Sequence, residues 1–208
     1  MNNKILCLHG YHQSGTIFRE KSGGFRKAFK GKYEFIFIDA SNKIEDSNLS
    51  EYGWWFSNEN NYFNALDSSN CNKGFDESLE LIKSTFREKG PFLGILSFSQ
   101  GAAFAQILLH LIEMDLELFK IINIKFAILV APFYGKSSQF TDLYKHVINT
   151  PCLVIFGNND KVIPAELTVE TLDKYNDKTL IIHDGGHYMP VNVKVKETLN
   201  LFLSRFIQ

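Results

Sequence analysis

The chain has 208 residues, 45% hydrophobic and 14% aromatic, with 22 basic and 23 acidic side chains and a formal net charge of −1. That balance offers no basic field to nucleic acid and no acidic tail, and no apolar run approaches the roughly 20 residues of a membrane span. The first residues lack the apolar stretch of a secretory signal, and the three cysteines show no CxxC or Cys/His zinc spacing. Cys7 and Cys152 sit in apolar runs and read as buried thiols; Cys71 lies in a polar stretch. The expectation is one domain, residues 1–208, cytoplasmic, without metal, nucleic acid or membrane span; nothing here fixes the oligomeric state.

Residues 4–8 form the first of six short apolar segments, and the loop His9-Gly10-Tyr11-His12-Gln13-Ser14-Gly15 follows it. A helix over 14–30 sets Ile17, Phe18, Phe25 and Phe29 on one side, and a strand over 34–38 comes next. Residues 41–72 break this rhythm. They hold eight asparagines and no sustained periodicity, yet also Tyr52, Trp54, Trp55, Phe56, Tyr62 and Phe63. A loop this long in a compact domain is usually functional or disordered, and this one leaves a strand at the end where open α/β sheets bind ligands. We read it as a short cap carrying Trp54 and Trp55 to the substrate; the alternative is that the two indoles pack the loop onto the core.

A helix over 75–88 repeats Phe75, Leu79, Ile82 and Phe86 at three-to-four spacing. Then come a strand over 92–96, an almost wholly apolar helix over 100–112, strands over 125–130 and 152–156, an amphipathic helix over 165–175, a strand over 179–182 and a helix over 191–206. The strands are apolar throughout rather than alternating, as strands buried on both faces are. Strands alternating with helices predict a doubly wound α/β domain: a mainly parallel sheet of about six strands with helices on both faces.

The densest signal is Ile95-Leu96-Ser97-Phe98-Ser99-Gln100-Gly101. An apolar strand running into a serine and then a helix is the setting of a nucleophilic serine at a tight turn. Residues two before and two after must be small, and Ser97 and Gly101 are, although G-x-S-x-G would have glycine at 97. On its own such a motif can be chance. A serine needs a base and an orienting carboxylate, which in the α/β-hydrolase order follow as acid, then histidine. Asp160 follows the fifth strand in Gly157-Asn158-Asn159-Asp160, and His187 follows the sixth in Gly185-Gly186-His187. His183 is an alternative base; His110 and His146 read as packing or surface residues, and His9 and His12 as loop-shaping ones. The oxyanion donors expected are the backbone N–H groups of Gln100 and Tyr11.

These residues resemble the FSH family of small serine hydrolases, which includes the ovarian-tumour-associated hydrolases, within the α/β-hydrolase superfamily. The likeness rests on the His9-Gly10-Tyr11-His12-Gln13-Ser14-Gly15 loop, Lys21-Ser22-Gly23 with Arg26-Lys27, Trp54-Trp55, the segment through Gln100-Gly101-Ala102-Ala103, Phe156-Gly157 through Pro164, and Gly185-Gly186-His187. The resemblance implies Ser99, Asp160 and His187 as a triad acting on carboxylic esters with no metal or organic cofactor. The apolar residues expected near the mouth are Trp54, Trp55, Phe133, Ile163 and Met189, with Tyr134 and Tyr188. Sparse formal charge there favours an uncharged or acyl-bearing small-molecule ester, or a thioester. A peptidase or amidase, or a binding module without catalysis, is the competing reading.

Overall fold

Ile5, Leu6, Cys7 and Leu8 of the first strand, β1 (Lys4–Leu8), are all fully buried, because both faces of the sheet are covered. The computed structural model describes residues 3–29, 31–45, 50–114 and 116–206. After β1 come α1 (Gly15–Lys21), α2 (Gly23–Arg26), β2 (Glu34–Ile38), the two-residue strands β3 (Asn42–Lys43) and β4 (Tyr52–Gly53), and α3 (Phe75–Lys89). Then follow β5 (Gly94–Phe98), α4 (Gln100–Met114), α5 (Leu116–Ile121), β6 (Phe126–Val130), β7 (Cys152–Gly157), α6 (Ala165–Val169), β8 (Lys178–His183) and α7 (Val193–Ser204). The main sheet has the order β2-β1-β5-β6-β7-β8, with every neighbouring pair parallel.

The core divides at the sheet. On one face Phe18, Phe25 and Phe29 pack with Val195, Leu199 and Phe202 of α7. On the other, Ile82 and Phe86 of α3 pack with Phe104 and Leu108 of α4. The chain leaves β1 toward β2 on one side, and β5 lies on the other side of β1. The C-terminal ends of β1 and β5 therefore flank the point where strand order reverses, where a crevice opens in sheets of this kind.

Several boundaries differ from the sequence reading. The helix expected over 14–30 is interrupted at Ser22, which caps α1, and resumes as α2 and a short 3-10 turn. The strand expected over 92–96 runs two residues later, since Ser97 and Phe98 still pair with β6. The helix expected over 165–175 stops at Val169; a 3-10 turn over Leu172–Lys174 then turns Tyr175 inward, where its hydroxyl meets Gln106 Oε1 at 2.8 Å. The helix α5 was not anticipated.

Within 41–72, β3 and β4 pair antiparallel, Asn42 with Gly53 and Lys43 with Tyr52; residues 46–49 lie outside the described residues. The Asn42 amide donates to the carbonyls of Gly53, Trp54 and Gly74, which ties this segment to the start of α3.

Candidate active site

Ser99 stands between β5 and α4 with φ at 53°. A left-handed conformation costs a non-glycine residue roughly 1–2 kcal/mol, so the surroundings must impose it. The Ser99 N–H donates to Val130 O at 2.8 Å, while Ser99 O accepts from the amides of Ala102 and Ala103 at 2.8 and 3.0 Å, starting the helix. The neighbouring tip repeats the pattern: Ala131, φ 52°, donates from its N–H to Ile155 O at 2.8 Å. Gly101 lets α4 close on β1, since a Cβ there would lie 2.3 Å from His9 O and 2.5 Å from Leu8 O. Ser97, fully buried, fits in place of glycine because its hydroxyl donates to Ile128 O at 3.2 Å.

Asp160 follows β7 and His187 follows β8, and the two loops are stapled together. Asn158 and Asn159 donate from their backbones to His183 O and Gly185 O at 2.8 and 3.2 Å, and the Asn159 amide donates to Asp184 O at 2.7 Å. Gly157 permits this, because a Cβ there would sit 2.3 Å from Gly185 O. His187 Nδ1 and Asp160 Oδ2 are then 2.6 Å apart. Asp160 Oδ1 accepts from the amides of Val162 and Ile163, both at 2.9 Å. Burial alone raises the Asp160 pKa; the hydrogen bonds from His187 and the two amides prevail and hold it below the usual carboxylate range. With Oδ2 an acceptor, Nδ1 carries the proton and Nε2 is left as the basic nitrogen. The Phe98 ring lies 4.6 Å from the imidazole, centre to centre. His183, the alternative base, accepts from the Gly185 N–H at 3.1 Å and so shapes the turn that carries His187.

Ser99 and His187 line one cavity of about 300 Å³ together with Gly10, Tyr11, Gln13 and Ile163. No hydrogen bond joins the serine hydroxyl to the imidazole among the described residues; such contacts are often loose before substrate binds. The Tyr11 and Gln100 amides donate to no other described residue. Gly10 N–H is held by Gln13 Oε1 at 3.3 Å, which orients the loop bearing Tyr11. The Gln100 side chain also braces the neighbouring segment, accepting from Trp54 N–H at 2.9 Å and donating to Trp55 O at 2.8 Å. Neither glutamine side chain was anticipated, because each partner is fixed only by folding.

The expected substrate contacts need correction. Trp54 and Trp55 are 0% and 1% exposed and form no part of the cavity lining. Trp54 stacks on Phe104 with centres 4.8 Å apart and donates from Nε1 to His9 O at 2.8 Å; Trp55 packs edge-on to Phe63. Phe133 is likewise 1% exposed, packed toward Phe63. The segment instead reaches the cavity through Tyr62, Phe63, Asn64 and Ala65. Ile163 does line the cavity, and Met189 lines an adjoining one with Tyr188.

A family model described as serine hydrolase (FSH1) matches residues 1–199. The chain belongs to the FSH1 serine hydrolase family. Esterase OVCA2 of Danio rerio is 37% identical over 222 aligned residues, covering 98% of this chain and 97% of that one. Among solved structures, esterase PE8 superposes with a TM-score of 0.65 at 17% identity, covering 99% of this chain and 93% of that one. Zea mays acyl-protein thioesterase 2 gives 0.65 at 16% identity, covering 97% and 94%. At those identities the two structures speak for the α/β-hydrolase fold alone. As an FSH1 serine hydrolase the protein is an enzyme of carboxylesterase-like type. Among the described residues no helix is long and apolar enough to cross a membrane, and no cluster of His, Cys, Asp or Glu is suited to a metal ion.

Proposed function

We propose that this FSH1 serine hydrolase cleaves carboxylic esters of small molecules by two-step acyl transfer to water, with Ser99 as nucleophile. His187 Nε2 takes the hydroxyl proton as Ser99 Oγ attacks the ester carbonyl. The negative oxygen is met by the backbone N–H groups of Tyr11 and Gln100, each worth about 3 kcal/mol in the transition state. His187 returns the proton to the leaving oxygen, and water then attacks the acyl-serine with the same base. Asp160 holds the imidazole in its Nδ1–H tautomer and stabilises the imidazolium. A thioester enters the same sequence with sulfur as the leaving atom.

The observation that carries this reading is the 2.6 Å contact of His187 Nδ1 with Asp160 Oδ2 beside a cavity that also holds Ser99. Ser99→Ala is expected to lower kcat for a short-chain ester by roughly 10⁵- to 10⁶-fold, and a fluorophosphonate probe should label the wild type and not the variant. A folded Ser99→Ala protein that kept most of its turnover would remove Ser99 from the role, and an unlabelled wild type would favour a binding module. Turnover of anilides as fast as matched esters would favour the amidase reading.

A further inference from the structure

A second cavity, about 360 Å³, adjoins the first and shares Gln13, Phe98 and His187 with it. Phe18, Tyr188 and Met189 make its apolar walls, and Lys21 is the one lysine, arginine or carboxylate in its lining among the described residues. Neither Ser99, Gly10 nor Tyr11 borders it. The two cavities therefore meet at Gln13, Phe98 and His187, and of the two only the first is lined by Ser99 and the Tyr11 loop.

Lys21 ends α1 and is exposed. No carboxylate pairs with its ammonium among the described residues. The nearby Arg26 is differently placed: it donates to Arg19 O and Ser22 Oγ, and its guanidinium lies 5.2 Å from the Phe37 ring centre. A basic side chain suits a helix C-terminus, but Arg19 serves that in the same turn. Among the described residues Lys21 is thus a cation without an ionic partner, at the edge of an apolar cavity.

Orientation follows from the proton. On the hydrolytic reading above, on which this inference rests, the leaving oxygen must face His187 while the carbonyl oxygen faces the Tyr11 loop. The acyl group then lies against Tyr62, Phe63 and Ile163, and whatever hangs from the leaving atom enters the second cavity. We infer that this cavity receives the leaving alcohol or thiol, and that the preferred leaving group is an apolar body ending in an anion, a carboxylate or a phosphate, which pairs with Lys21.

The test uses butyrate esters of para-hydroxybenzoate, para-hydroxyphenyl phosphate and the neutral methyl para-hydroxybenzoate, with the para-nitrophenyl monoester of adipic acid carrying its carboxylate on the acyl side. Each substrate is scored by the ratio of variant to wild-type kcat/KM, so intrinsic reactivity cancels. Because Lys21 is exposed to solvent, the effect is modest: Lys21→Gln should lower kcat/KM roughly three- to tenfold at low salt for the anionic leaving groups. The neutral ester and the adipate should be unchanged, and Lys21→Glu should lower the anionic pair further. The larger loss, carboxylate or phosphate, identifies the anion. The wild-type advantage should shrink as ionic strength rises from ~0.02 to ~0.5 M. Equal ratios for all four esters, or a loss confined to the adipate, would overturn the inference. Failure of the hydrolytic reading shows separately, as absent wild-type turnover of the neutral ester or retained turnover in Ser99→Ala.

Discussion

His9 has both ring nitrogens engaged: Nδ1 lies 2.8 Å from Gly10 O, and Nε2 accepts from Ala40 N–H at 2.9 Å. A second proton would set two N–H groups against each other in a fully buried site, and burial lowers this pKa to about 4. In the unfolded chain the ring titrates near ~6.5. Between those values the unfolded chain binds a proton that the native one does not, so stability falls as the pH falls. The linked loss is about 3 kcal/mol across the window. His110, also lowered to about 4 by burial first and Lys174 next, acts in the same direction. Asp160, with its depressed pKa, stabilises the fold above the unfolded carboxylate range and loses that contribution only at lower pH. Urea unfolding from pH 7 to 4.5 should show this decline, and His9→Gln should remove about one proton from its slope. An unchanged slope in that variant would contradict the buried neutral imidazole.

The first residue of α4 connects two elements. Gln100 clasps the backbone of Trp54 and Trp55, so the segment after β2 is held to the helix that starts at the candidate nucleophile. Gln100→Ala leaves a buried N–H and a buried carbonyl without partners and should cost about 2–4 kcal/mol. It keeps the backbone N–H at 100, so kcat per folded molecule should fall far less than in Ser99→Ala. Denaturation curves with active-site titration by the fluorophosphonate separate the two. A fall in kcat matching that of Ser99→Ala, with stability unchanged, would show that the side chain acts on the substrate instead.

Across the whole molecule, Trp54 and Trp55 share one buried cluster with α3, α4 and the sheet. Their fluorescence should therefore be lost in the same transition as far-UV circular dichroism; two separate midpoints would divide residues 41–72 from the rest. The inner strands were legible because double-sided burial leaves unbroken apolar runs, as at β6 and β7, whereas the edge strands β2 and β8 are partly exposed. Ser99, Asp160 and His187 were legible as the candidates proposed above because each follows a strand, in the chain order expected of such a fold. Gln13, Lys21 and the bracing contacts of the Gln100 side chain were not. Gln100 finds Trp54 across 46 positions of chain, and no periodicity encodes such a contact.

The left-handed turns at Ser99 and Ala131 form a staircase. The tip of β5 hangs from the end of β6, and the tip of β6 from the end of β7, each by one peptide group. The strand from which Asp160 departs thus also sets, two steps away, the elevation of the serine hydroxyl above the sheet. A lesion within β6 or β7, below the crevice, would be felt there as a shift in relative height rather than as a missing group.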